Sequence, residues 1–170
     1  MIAVWLLLPF AVHAGATLVD EFVFHYRRGL PRWERIGHPL DALTALFCLA
    51  WVFFAPINGT TVTVYVAAAV FSCLFVTKDE WVHTRQCSAG EHWLHGILFL
   101  CHSLVLVAAG LIWPALHGEA FLWGAASEAE RQILQAGFIG FMSLGFVFFL
   151  YETVYWNWFW KGSVRELRHQ

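Results

Sequence analysis

Charge is what this sequence has least of. Asp, Glu, Lys and Arg make up 13% of its 170 residues, about half the quarter usual in soluble domains. Too little polar surface is available to coat a water-soluble core, so an ordinary soluble domain is excluded. No tract of Lys and Arg occurs and the net charge is -2, which leaves no footprint for nucleic acid. The four cysteines (Cys48, Cys73, Cys87 and Cys101) have no C-x-x-C spacing, so neither a disulfide framework nor a cysteine zinc motif follows. Three of them lie in apolar runs, where Cys behaves as a small hydrophobe. The first apolar run ends in AVHAG and mimics a signal peptide, but no Lys or Arg precedes it. It is therefore read as a retained span. No internal repeat is present.

What is there is apolar. Hydrophobic residues reach 59% and the mean hydropathy is +0.61. Five stretches, at about residues 2–19, 40–57, 62–77, 93–116 and 133–160, approach the length that a bilayer requires. The fold class expected is an all-α integral membrane protein: one domain, a bundle of five transmembrane helices. Turn signals separate the spans, among them Gly29–Pro31, Pro56 with Asn58-Gly59, and the run Cys87 to Gly90. The third span is short and is expected to continue through Glu80 and His83. Ser127, Glu128 and Glu130 mark a helix start before the fifth span.

Basic residues set the expected orientation. Arg27, Arg28, Arg32 and Arg35 follow the first span, Lys78 and Arg85 the third, and Lys161, Arg165 and Arg168 the fifth. The alternate loops hold only Arg131. This bias places the N-terminus outside and the C-terminus in the cytoplasm. Trp5, Trp113 and Trp123 on one side, with Trp33, Trp81, Trp93 and Trp156–Trp160 on the other, fit two aromatic belts. An inner membrane of bacterial type, with membrane lipids as neighbours, is the expected location.

With that orientation the scarce acids and imidazoles gather at one end. Asp20, Glu21 and His25 leave the first span there, and His38 and Asp41 enter the second. Asp79, Glu80 and His83 leave the third, Glu91, His92 and His95 enter the fourth, and Glu152 approaches the same end in the fifth. Helical spacing aligns them further: Glu91, His95 and His102 fall within an arc of about 40° at 100° per residue. Glu21 and His25 are an i, i+4 pair, and Glu80 and His83 an E-x-x-H pair. Helical bundles hold two metal ions with such Glu-x-x-His pairs and glutamates from other helices. His13 and His102 lie seven residues inside Asp20 and His95, so they are expected at similar depth. Ionisable groups that deep are costly in lipid and point to function.

The candidate metal ligands are thus Glu21, His25, Glu80, His83, Glu91, His92 and His95, with His13, Asp20, Asp79, His102 and Glu152 as additional candidates. Glu80 and Glu91 are the candidate catalytic groups. The bland reading of His38, His117 and His169 is interfacial or loop histidine. Asp20 and Asp79 can be plain helix-end charges, and His13 and His102 can simply bond each other.

The patches EFVFH (Glu21–His25), EWVH (Glu80–His83) and EHWLH (Glu91–His95) resemble the boxes of integral-membrane histidine-box di-iron proteins, the desaturase and hydroxylase class. His92 and His95 keep an H-x-x-H pattern, whereas Glu21, Glu80 and Glu91 stand where those boxes carry histidine. The resemblance implies a dinuclear iron site at the cytoplasmic ends of the spans.

Mixed imidazole and carboxylate ligands suit iron, manganese or zinc. More candidates are present than one zinc requires, which favours two ions, iron before zinc. In this expectation Glu80 or Glu91 bridges the ions, and His25, His83, His92 and His95 are terminal ligands. An oxidoreductase acting on an apolar, lipid-like substrate, served by a redox partner, is the leading function. Three alternatives stand beside it. A zinc hydrolase would hold its metal on His83, His92 and His95, with Glu80 or Glu91 as general base. An electron-transfer protein would hold haem b between His13 and His102. A non-enzymatic subunit or ion carrier would need no resident metal.

Overall fold

A computed structural model describes residues 3–121 and 124–162, with the side chains of Ala3, Asp79, Val82 and Phe121 outside the description. The expected roles of the Asp79 carboxylate, Trp123, Arg165, Arg168 and His169 therefore lie outside the described residues.

The chain is helical almost throughout. A 3-10 turn, Ala3–Leu7, leads into α1 (Leu8–Val19), and a π-helical turn, Asp20–His25, joins α1 to the short α2 (Tyr26–Arg28). Next come α3 (Arg32–Phe54) and α4 (Gly59–Phe75). A 3-10 turn, Val76–Asp79, links α4 to α5 (Glu80–Gln86). After α6 (Ala89–Leu116), two-residue strands β1 (Ala120–Phe121) and β2 (Gly124–Ala125) pair antiparallel. The last long helix, α7 (Glu128–Val154), ends in a second π-helical turn, Tyr155–Phe159. Counted through these turns, five helices are long and apolar enough to cross a membrane: Val4–Arg28, Arg32–Phe54, Gly59–Gln86, Ala89–Leu116 and Glu128–Phe159.

Local chemistry sets the ends. Gly29 has φ 78, a left-handed conformation that glycine adopts without penalty, and the chain reverses there before Pro31 starts α3. Asn58 and Thr61 form a capping box at α4, and Ser127 and Glu130 another at α7. Ser88 caps α6 by accepting from the Glu91 backbone N–H.

Two boundaries differ from the sequence expectation. The second span begins at Arg32 rather than near residue 40, because the charged stretch through Glu34 and His38 is helical and Pro39 is accommodated inside α3. The expected turn from Cys87 to Gly90 shrinks to Cys87-Ser88, since Ala89 and Gly90 already belong to α6.

The apolar core fills the half of the bundle away from the acid-rich end. Phe10, Leu49, Val52, Leu106, Ala109, Ile112, Leu134 and Phe138 are buried together. Tyr65 donates its hydroxyl to the Leu106 carbonyl. Trp113 is buried in this core, its indole N–H donating to the Ala55 carbonyl at 3.0 Å, which corrects its expected place in an aromatic belt. Outside, large apolar side chains such as Leu8, Phe47, Val70, Leu100 and Val147 are exposed on all five long helices, far more apolar surface than water tolerates.

Candidate metal centre

The π-helical turn Asp20–His25 is the first piece of the site. In an α-helix, five residues at 100° would leave Asp20 and His25 about 140° apart. The wider i→i+5 turn lines them up, so Asp20, Glu21 and His25 are all buried on one face. His25 Nδ1 lies 2.9 Å from Glu21 Oε2, and a carboxylate only accepts, so that nitrogen donates. The other Glu21 oxygen accepts from the Tyr151 hydroxyl at 2.6 Å and from Trp156 Nε1 at 2.8 Å. Glu21 thus accepts three hydrogen bonds, and it ties the end of α7 to the turn after α1.

The second piece is a guanidinium between two glutamates. Buried Arg28 donates through Nε to Glu91 Oε1 at 3.0 Å and through its terminal nitrogens to both oxygens of Glu34, at 3.3 and 2.6 Å. This clamp draws together the starts of α3 and α6.

A pair of imidazoles completes the cluster. His95 Nε2 lies 3.1 Å from each oxygen of Asp20, and its Nδ1 lies 3.0 Å from Nδ1 of His83. With His95 Nε2–H given to Asp20, its neutral ring offers a lone pair at Nδ1, which His83 Nδ1–H fills. His83 Nε2 is then left with a lone pair. It is buried without a hydrogen bond, 3.9 Å from Glu34 Oε1. His25 Nε2 is in the same position: buried, unbonded, and 3.2 Å from Asp20 Oδ2. Each of these nitrogens faces a carboxylate oxygen: an ion pair where the imidazole is protonated, acceptor against acceptor where it is neutral.

Charge balance sharpens the problem. Asp20, Glu21, Glu34, Glu91 and Glu152 are buried, and Arg28 is the buried guanidinium among them. With carboxylates ionised and imidazoles neutral, four negative charges stay uncompensated. Buried charge of that size is offset by protons, on the carboxyl groups or the imidazoles, or by metal ions. The ligand atoms suit metal. One from each of Asp20, His25, Glu91 and His95 lie within 4.8 Å of one another, as do those of His25, Glu34 and His38, and of His83, Cys87 and His95. Burial pushes the Cys87 thiol up from its ordinary value, which makes Cys87 the weakest of these donors.

The expected residues divide. Glu21, His25, His83, Glu91 and His95 are buried in the cluster, with Asp20 among them. Glu80 and His92 lie at its edge: they pair with each other at 3.0 Å, their side chains 40% and 43% exposed, and the other Glu80 oxygen stands 3.9 Å from His83 Nδ1. On α6, His92 sits about 100° from Glu91 and so flanks the inward face. Glu152 is buried beside His38, 4.0 Å from its Nδ1. His38 itself stacks on His25 with ring centroids 4.9 Å apart, so it is not an interfacial histidine. Glu34, Arg28 and His38 were missed as site residues because they sit in a charged stretch that reads as a linker. A signal was there: Glu34–His38 repeats the E-x-x-x-H spacing of Glu21–His25 and Glu91–His95.

Beyond the cluster a cavity of about 190 Å³ opens into the bundle. Asp20, His25, His38, His83 and His95 border its polar end, and Leu49, Val105, Leu106 and Phe141 its apolar end. His13 and His102 line it part-way, ring centroids 6.0 Å apart. His102 Nε2 bonds Ser72 Oγ at 2.9 Å, so this nitrogen is engaged rather than open to a haem iron. His117 lies at the far end of the bundle, its Nε2 bonding the Val52 carbonyl at 3.1 Å. Comparison of the chain with protein-family models, with curated proteins and with solved structures found no match.

Proposed function

We propose that this chain is an integral-membrane metalloprotein that holds two metal ions, iron in the first place, and oxidises an apolar, lipid-like substrate. One observation carries the reading: the buried nitrogens His25 Nε2 and His83 Nε2 each face a carboxylate oxygen without a hydrogen bond. Metal–nitrogen and metal–oxygen bonds of about 2.0–2.2 Å let one cation satisfy both atoms across a gap like the 3.9 Å between His83 and Glu34. Two divalent ions would also balance the four uncompensated charges. In this reading Asp20, His25, Glu34, His83 and Glu91 hold the ions, and His95, with both ring nitrogens engaged, orients Asp20 and His83. Glu21 orients His25, and Arg28 fixes the two glutamates, as groups around a metal site commonly do.

The cluster end is assigned to the cytoplasm and the N-terminus to the outside. Arg27, Arg32, Arg35, Lys78, Arg85 and Lys161 fall near that end, against Arg131 at the other. The apolar cavity joined to the cluster is the substrate site, entered from the membrane. The chemistry is oxygenation of a C–H bond: one atom of dioxygen enters the substrate and the other leaves as water. The substrate supplies two electrons, and a separate redox partner supplies the other two.

A second reading, zinc hydrolysis, is favoured by the nitrogen and sulfur set His83, Cys87 and His95. Elemental analysis of protein purified without chelators separates the two. Iron near two per chain is expected, lost in His83→Ala and Glu34→Ala and kept in His117→Ala. Zinc near one per chain moves the assignment to the hydrolase, and no bound metal overturns both.

A further inference from the structure

The cavity holds a hydrogen-bonding station that the metal reading does not use. Thr44 donates its hydroxyl to the Asp41 carbonyl at 2.9 Å, which spends its one hydrogen. Its oxygen, 2.8 Å from Ser72 Oγ, must then accept the Ser72 hydrogen. Ser72 in turn must accept from His102 Nε2, 2.9 Å away. Three hydrogen bonds in series thus fix His102 as the Nε2–H tautomer and leave its Nδ1 as an acceptor. Across the cavity, no group among the described residues hydrogen-bonds the His13 ring, which stands 6.0 Å from the His102 ring, centroid to centroid. Imidazoles in apolar surroundings are stabilised by a hydrogen-bonding partner.

We infer that the cavity takes an apolar chain bearing a hydroxyl group, read by His13 and His102. The hydroxyl hydrogen goes to His102 Nδ1, and its oxygen accepts the N–H of neutral His13. A carbonyl fits less well, because it has no hydrogen for the fixed acceptor on His102. His13 and Asp20 are seven residues apart on one helix, as are His95 and His102 on another. At 1.5 Å per residue, both pairs set the hydroxyl about 10 Å from the metal cluster. The inference rests on the cavity being the substrate site of the proposed function. It names the substrate class as an alcohol whose reacting carbon lies about that far from its oxygen.

The probes follow from volume. A dry cavity of 150 Å³ holds benzene, so the 190 Å³ here takes about seven or eight heavy atoms. The test uses full-length protein in lipid nanodiscs with isotope-labelled histidine. It is titrated with 1-hexanol, 2-hexanone and n-heptane while the His13 and His102 ring resonances are followed by NMR. Hexanol should saturate both signals at a concentration about tenfold below hexanone, with heptane weakest. His13→Phe removes a donor that serves either oxygen, so it should weaken hexanol and hexanone alike and keep the preference, read from His102. Ser72→Ala removes the acceptor that fixes the tautomer, and hexanone should then bind as well as hexanol. Equal binding of the three probes means that the two histidines hold water only, and it overturns the inference. So does an alcohol preference that survives in Ser72→Ala. Metal content measured on the same samples tells failure of this station from failure of the metal centre.

Discussion

The Nδ1 atoms of His83 and His95 stand 3.0 Å apart, and the far nitrogen of His95 meets Asp20 at 3.1 Å. Three residues from the π-helical turn, α5 and α6 therefore form one hydrogen-bonded line. Its direction is set by the carboxylate, which can only accept. The line ends on His83 Nε2 facing Glu34, and that end is where the proposed ion would sit. Asp20→Asn removes both the anchor of the line and a carboxylate ligand. Metal affinity should fall by at least about tenfold, measured by competition with a chelator of known affinity. Unchanged affinity would remove Asp20 from the site.

Arg28 makes a separable prediction. Its guanidinium is the buried partner of Glu34 and Glu91, and breaking such a pair from one side costs about 3–5 kcal/mol. Arg28→Met should lower the thermal midpoint of the metal-free protein. Divalent metal should recover more stability in the variant than in the wild type, since the ions then neutralise glutamates that nothing else does. Equal recovery in both proteins would mean that the glutamates do not face the ions.

Glu80 and His92 supply the contrast. Their 3.0 Å pair is partly exposed, and exposed pairs contribute about 0–1 kcal/mol. Glu80→Gln and His92→Ala should each leave metal content intact and shift stability within that range. A loss of metal in either variant would return them to the ligand set expected from sequence.

Gly145 tests the cavity without touching the cluster. It lines the cavity, and a Cβ there would approach Leu46 Cδ2 to 3.3 Å. Gly145→Leu should fill the space, abolish binding of 1-hexanol and preserve the metal content of the wild type. Retained hexanol binding would show that the chain lies elsewhere.

Much of the architecture was legible because apolar runs of spanning length admit few other readings, and the gathering of acids and imidazoles at one end followed from their order. What escaped was local geometry. Asp20 reads as a helix-end charge until the π-helical turn swings it onto the face of His25. Arg28 and Glu34 read as linker charges because nothing in the stretch ERIGHP announces that α3 starts at Arg32. Glu80 and His92 share helices with His83 and His95, and the structure sets their side chains at the partly exposed edge of the cluster, where they pair with each other. The indole of Trp156 and the phenol of Tyr151 donate to Glu21, a contact across 130 residues or more that periodicity does not reveal.

The central claim is tested most directly by anomalous diffraction at the iron edge, on crystals of protein purified without chelators. Two peaks are predicted, one between His25 Nε2 and Asp20, the other between His83 Nε2 and Glu34. A map without density at either position, from protein that retains its fold, would contradict the account and leave protons on the imidazoles as the cations of the cluster.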